Sequence, residues 1–235
     1  MHCRGSILIG LCSAWLVSGS AQALSVVEAV RTTSITVTQS GGPAQHYSES
    51  DPVGYGTWTS DLSRRGSGNP VRAYQDSLIS DSELSGTGDV AMWTTGDYAE
   101  SHYRIVFDLS DSTGYNFFVD NMDTNACCTS APSGLVTLDR VDPVTHDTLQ
   151  TIYSVTLGRQ TGFQSGGQGY PDFSAQGVLG IGTYALDYAL HVNGSRNAAG
   201  SGLSGFDLAF VPEPTTGLLL LMGIAGLAGA RPRRR

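Results

Sequence analysis

Apolar and polar residues alternate with a period of two in one segment after another of this chain, and helical spacing is scarce. Ser34-Ile35-Thr36-Val37-Thr38 alternates until Gly41-Gly42-Pro43 ends it. Tyr55 to Leu62, Arg72 to Ser80 and Asp89 to Thr95 read as strands, with a loop from Arg64 to Pro70. His102 to Asp108 is rich in β-branched and aromatic side chains, which fit a pleated, half-buried surface. Tyr115 to Asp120 follows the turn Asp111-Ser112-Thr113-Gly114. Leu135 to Val141 and Leu149 to Leu157 flank Asp142-Pro143-Val144-Thr145, a sequence that presets a hairpin turn. Gly182 to Val192 sets Tyr184, Leu186, Tyr188 and Leu190 on one face against Ala185, Asp187, Ala189 and His191 on the other. Asn193 to Gly202 reads as a loop and Gly205 to Val211 as the last strand. About ten short strands at close spacing predict an all-β domain over residues 24–210, an antiparallel β-sandwich of jelly-roll-like topology.

Both ends of the chain break this pattern. Residues 1–23 have Arg4, then an apolar run from Ile7 to Val17, then small residues ending Ala21-Gln22-Ala23. That order is a secretory signal, with small side chains at Ala21 and Ala23 for the peptidase pockets and cleavage before Leu24. At the other end, Val211-Pro212-Glu213-Pro214 precedes Thr215-Thr216, the apolar stretch Gly217 to Ala230, and Arg231-Pro232-Arg233-Arg234-Arg235. Two prolines fix φ and remove two N–H donors, so this segment is expected extended, outside sheet or helix. As a helix, residues 215–230 span ~24 Å at about 1.5 Å per residue, short of the ~30 Å hydrocarbon core of a bilayer. Arg231, Arg233, Arg234 and Arg235 place that end in the cytoplasm by the positive-inside rule. The body is then expected on the far side, with one short transmembrane helix behind it.

A Pro-Glu-Pro, a short apolar helix and a terminal arginine cluster, in that order from Val211 to Arg235, resemble the PEP-CTERM sorting tail. The resemblance implies recognition by exosortase, an integral-membrane cysteine protease of Gram-negative bacteria. It also implies transient anchoring in the inner membrane and cleavage at or near Pro212 to Pro214, after the export through Sec and signal peptidase that residues 1–23 call for. Release to the cell surface or to an exopolysaccharide matrix would follow. The strand spacing of the body is similar to sandwich domains that often precede this tail, with Tyr74 to Ile79, Leu84-Ser85-Gly86-Thr87-Gly88 and the Gly182–Val192/Gly205–Val211 pair carrying the likeness.

Composition narrows the chemistry. The chain has 235 residues, 14% of them charged, 30 glycines and a net charge of −8. All 13 basic residues are arginine, which excludes a P-loop phosphate grip, a lysine Schiff base and a Ser-x-x-Lys acyl enzyme. Residues 24–210 hold 8 arginines against 20 acids, a net of −12. Such a surface offers no basic face for nucleic acid and meets anionic polysaccharide only through bridging cations.

Within the body, specific chemistry is sparse. Cys127 and Cys128 are adjacent in an exported, oxidising setting, and a vicinal disulfide, an intermolecular bridge and free thiols all stay open. No two histidines stand at zinc-ligand spacing, and His146, among the acids Asp139, Asp142 and Asp147, reads as part of a solvated hairpin turn. Gly200-Ser201-Gly202-Leu203-Ser204-Gly205 matches G-x-G-x-x-G, but no helix follows it, so it is no dinucleotide site. Asp120, Asn121, Asp123 and Asn125 gather oxygen donors in an Asx-rich turn, a weak calcium candidate lacking the glycine and distal glutamate of an EF-hand loop. Tyr55, Trp58, Trp93, Tyr98 and Tyr170 lie in or near Gly-rich turns where sugar-stacking platforms sit. The expectation is therefore a structural or matrix-interaction protein, with no cofactor and no catalysis. A carbohydrate-binding, calcium-assisted module is the alternative, and a secreted hydrolase ranks third.

Overall fold

The computed structural model describes residues 24–39, 42–51, 55–65, 70–93, 96–126, 132–158, 171–193 and 200–211. These residues form twelve strands: β1 (Leu24–Val37), β2 (Gln45–Asp51), β3 (Gly56–Arg65), β4 (Pro70–Ile79), β5 (Glu83–Met92), β6 (Tyr98–Leu109), β7 (Thr113–Ala126), β8 (Ser133–Val141), β9 (Thr148–Gly158), β10 (Phe173–Leu179), β11 (Gly182–Asn193) and β12 (Gly200–Val211). No helix occurs among the described residues.

The strands make two six-stranded sheets, ordered β2-β1-β6-β11-β8-β9 and β10-β7-β12-β5-β4-β3. Every neighbouring pair is antiparallel. From β5 onward the chain changes sheet at almost every step, and β8–β9 is the one hairpin. The suborders β5-β12-β7-β10 and β6-β11-β8-β9 are those of an eight-stranded jelly roll built from two Greek keys. β1 and β2 extend one sheet, and β4 and β3 the other.

Inward-facing alternate residues fill the space between the sheets. Phe206 packs between Tyr103 and Tyr188, at 4.9 and 5.1 Å between ring centroids, and Phe107 meets Tyr184 and Phe210 at 5.8 and 5.6 Å. Burying each such ring stabilises the fold by roughly 1.5–3 kcal/mol. Room for them comes from β5. A Cβ on Gly86 would lie 2.8 Å from the Phe206 ring, and one on Gly88 would meet the Tyr188 hydroxyl and, at 2.8 Å, Ser101 Oγ. The glycines that lower β propensity in Leu84 to Gly88 thus let large rings cross the sandwich.

Several expectations change. β2 and β10 were not anticipated, and β1 begins at Leu24 rather than near Ser34. The stretch expected as a loop to Gly202 gives way to strand at Gly200, so the G-x-G-x-x-G segment lies wholly inside β12. Asn121 to Asn125, expected as an Asx-rich turn, is strand within β7, paired with β12 around a register shift between Leu203 and Gly205. Central position explains the first: Gly200 to Gly205 lies between β5 and β7, and ladder bonds on two sides outweigh the turn preference of Gly and Ser. Asn121 to Asn125 runs past the last β10 partner, Val119, and is held by β12 alone.

Register also fixes which strand ends lie together. Leu24 pairs with Leu109, which pairs with Gly182, and Val211 pairs with Gly114. The short connections at 110–112 and 180–181 join these two groups across the sheets. The domain therefore starts and finishes at one end of the sandwich.

Candidate functional site

β12 sits between β7 and β5, held by both along its length. At its finish the two faces diverge. Phe210 is buried, its ring edge-on to Phe107, and its N–H donates to the Ser82 carbonyl at 2.8 Å. Val211 is exposed, paired only with Gly114. Among the described residues, burial along β12 thus ends at Phe210, and Val211 is followed in sequence by Pro212, which lacks the N–H a ladder needs.

The chain carries a PEP-CTERM protein-sorting motif. The family model of that description matches residues 210–235, so its first matched residue is the last core side chain of β12. The motif marks the chain as an exosortase-targeted surface protein, consistent with export and membrane anchoring before release. No curated protein matches the chain. Among solved structures, the enzymatically active domain of bacteriophage CBA120 tailspike protein 4 is similar with a TM-score of 0.24 at 8% identity, over 66% of this chain and 18% of that one. That likeness is too slight to transfer fold or function.

The motif residues Pro212, Glu213 and Pro214, the apolar run 215–230, Arg231, Arg233, Arg234 and Arg235, the signal residues Ala21 and Ala23, and Cys127 and Cys128 lie outside the described residues. No helix among the described residues is long and apolar enough to cross a membrane.

Around the tail exit, the β8–β9 hairpin is tightly organised. Asp142 Oδ1 accepts from the Val144 and Thr145 N–H groups at 2.8 and 2.9 Å, and these bonds hold its carboxyl below the ordinary range. His146 takes a positive φ of 58°, and its Nδ1 lies 3.2 Å from Glu28 Oε2, tying the hairpin to β1. His146 thus lies in the hairpin connection, as its surroundings in the sequence predict, and its backbone N–H donates to the Asp142 carbonyl at 3.0 Å.

The weak calcium set does not converge where it is described. Asp120 and Asn121 occupy successive strand positions and so take opposite faces. Asn121 is buried; its side-chain amide donates to the Pro171 carbonyl at 3.3 Å and accepts from the Gly158 N–H at 3.4 Å. The side chains of Asp123 and Asn125 lie outside the description. No group of three His, Cys, Asp or Glu able to hold a metal occurs among the described residues.

Nor do the aromatic candidates gather. Tyr55 lies at the tail-exit end, Trp93 and Tyr98 at the opposite one, and Trp58 is half-buried with the Arg31 guanidinium 5.8 Å from its ring centroid. Tyr170 is outside the described residues.

Two arrangements escaped the sequence reading because they are assembled by cross-strand register. On the outer face of the first sheet, Asp187 bridges His102 at 3.1 Å and Arg104 at 3.2 Å. The hydrogen bond to Asp187 raises the His102 pKa against the opposing effect of burial. Burial pushes Asp187 up, but His102 and Arg104 outweigh it and hold the carboxylate below its usual range. This is a charge-paired stripe on the sheet surface. On the outer face of the second sheet, a shallow depression of about 340 Å³ has Gly205 and Thr87 as floor, Phe118 as one wall, and Asp76, Asp120 and Asp207 around it. Burial, then the Glu83 charge, push the Asp207 carboxyl up. Asp120, Phe118 and Asp207 stand on neighbouring β7 and β12 as facing register pairs with Gly205, Asp207 and Phe118, a proximity that strand pairing reveals and linear spacing hides.

Proposed function

We propose that this chain is an exported protein whose β-sandwich is delivered to the cell surface or extracellular polysaccharide after exosortase processes its tail, and that the sandwich serves there as a structural or matrix-interaction domain without catalysis. The observation that carries the reading is the PEP-CTERM motif at residues 210–235 beginning on the final residues of a central strand. A folded strand on one side and, on the other, two prolines that cannot donate to a sheet ladder give a membrane protease a grip that the fold does not compete for. Residues 1–23 act as the export signal.

Mass spectrometry of the protein released by its host, with and without the membrane protease, tests this. The expected product lacks the arginine tail and depends on the protease. Deleting Pro212 to Pro214 is expected to trap the chain in the inner membrane; an intact tail on released protein, or unchanged release of the deletion, overturns the reading.

A second reading, carbohydrate binding, is favoured by the outer-face depression. Carboxylates beside an aromatic wall over a glycine floor are suited to sugar hydroxyls and a sugar's apolar face. Pull-down on the host exopolysaccharide checks it: binding lost on Phe118→Ala and Asp120→Ala supports the module, and binding indifferent to both sinks it.

A further inference from the structure

The strand ends sort the exposed apolar side chains unequally. Val144 in the β8–β9 turn, Leu149 at the start of β9, Val178 at the end of β10, Ile181 in the β10–β11 turn and Val211 at the end of β12 are all exposed and all at the tail-exit end. Val144 is 85% exposed, and Val178 and Ile181 65% and 63%. Isolated surface aliphatics are ordinary; five converging on one end of a domain are not.

Covalent reach says what lies against that end. Only Pro212 to Thr216 separate Val211 from the apolar run starting at Gly217, and five residues span at most about 18 Å even fully extended. The sandwich is about 40 Å long, from its twelve-residue strands at ~3.3 Å per residue. A body so tethered presents its tail-exit end, and not its far end, to the membrane. While attached, the export signal repeats the constraint, since Leu24 starts from the same end, with six residues between it and Val17.

We propose that, before release, the tail-exit end rests on the lipid surface, with Val144, Leu149, Val178, Ile181 and Val211 entering the headgroup layer. This rests on the tail-anchoring reading above. The charge of that end selects the lipid: Asp81, Asp111, Asp142 and Asp147 stand in its turns or at their edges, with Arg140 and His146 as nearby bases. Zwitterionic headgroups accommodate such a surface and anionic ones repel it. Interfacial aliphatics of this kind bind shallowly and reversibly, so the contact fades once the tail is cut. The gap available to a protease at Pro212 to Pro214 is then set by the body lying against the bilayer.

The test uses the signal-processed chain with its tail intact, in phosphatidylcholine vesicles whose acyl chains are brominated to quench tryptophan. Ile181→Trp reports the tail-exit end and Leu135→Trp, also exposed, the far end; the parent chain supplies the background of Trp58 and Trp93. The expected result is co-flotation of both variants, with the Trp introduced at 181 quenched several-fold more than that at 135, and with that excess reduced when phosphatidylglycerol is mixed in. Co-flotation with equal quenching at the two sites overturns the proposal while leaving the anchor intact. Failure of either variant and of the parent to float removes the anchor reading, and the proposal with it.

Discussion

The two open sides of the sandwich are closed by different chemistry. Where β9 faces β10, the seal is aromatic: Phe117, Tyr153 and Phe173 lie 5.3 to 5.9 Å apart between centroids, and the Tyr115 and Tyr153 hydroxyls meet at 2.7 Å. Where β2 faces β3, the seal is polar. The Arg31 guanidinium, 1% exposed, donates to Asp51 at 2.6 Å and to the Gly56 carbonyl at 3.0 Å. Thr33 and Ser60 share a hydrogen bond, Ser60 donates to Glu49 at 2.7 Å, and Arg64 stacks 5.0 Å over Tyr47. A ring cluster tolerates small shifts because dispersion is non-directional. A buried ion pair does not, because its desolvation is offset only while each charge keeps its partners. The jelly-roll side is thus specified by shape, and the side added by β1 to β4 by charge and hydrogen-bond geometry.

Paired substitutions break that comparison if it is wrong. Phe117→Ala is expected to cost about 3–5 kcal/mol, and Phe117→Leu to recover most of the loss. Asp51→Ala is expected to cost about 3 kcal/mol, at the lower end for a broken buried pair because Asp51 keeps some exposure. Asp51→Asn, nearly identical in shape, is expected to lose almost as much, since the guanidinium keeps its charge. Urea denaturation midpoints measure all four. A well-tolerated Asp51→Asn would show that shape governs both sides.

The same contrast explains what could be read in the sequence. β11 was legible in full because a central strand buries alternate large residues, and Tyr184, Leu186, Tyr188 and Leu190 announce it. The β8–β9 hairpin was legible from Asp142 and Pro143, whose chemistry is local. β2 and β10 were missed because both are edge strands: Gln45–Asp51 and Phe173–Leu179 bury too little to leave an alternation. Arg31 and Gln75 were invisible for the opposite reason. They point into the core from strands whose pattern would have called for apolar residues there. The facing Asp51 makes Arg31 intelligible, whereas the Gln75 amide is buried without a hydrogen-bond partner among the described residues and no contact in the structure explains it. The sorting tail was legible because its signal is a linear order of residue types. The depression around Phe118 and Asp120 was not, because its walls come from strands nearly ninety residues apart in sequence, β7 and β12. The tail-exit surface needed the register as well, since five exposed aliphatics scattered from Val144 to Val211 converge only once the strand ends are placed.

The smallest expected effect probes where the polar side meets the aromatic core. Tyr103 is the register partner of Arg31 and a neighbour of Phe206, and its ring belongs to the aromatic stack. Its hydroxyl is buried and makes no hydrogen bond, and burial raises its pKa so that it stays neutral. A buried hydroxyl without a partner carries a desolvation cost and returns nothing for it, whereas its ring returns packing. Tyr103→Phe is therefore expected to be neutral or to stabilise by up to about 1 kcal/mol, in contrast to the loss expected at Asp51, the register partner of Arg31 on its other side. The readout is the thermal midpoint of the purified domain. A drop comparable to that of Asp51→Ala would mean that the Tyr103 hydroxyl is an active member of the polar network, and that the boundary between shape-specified and charge-specified halves lies one strand further into the jelly roll.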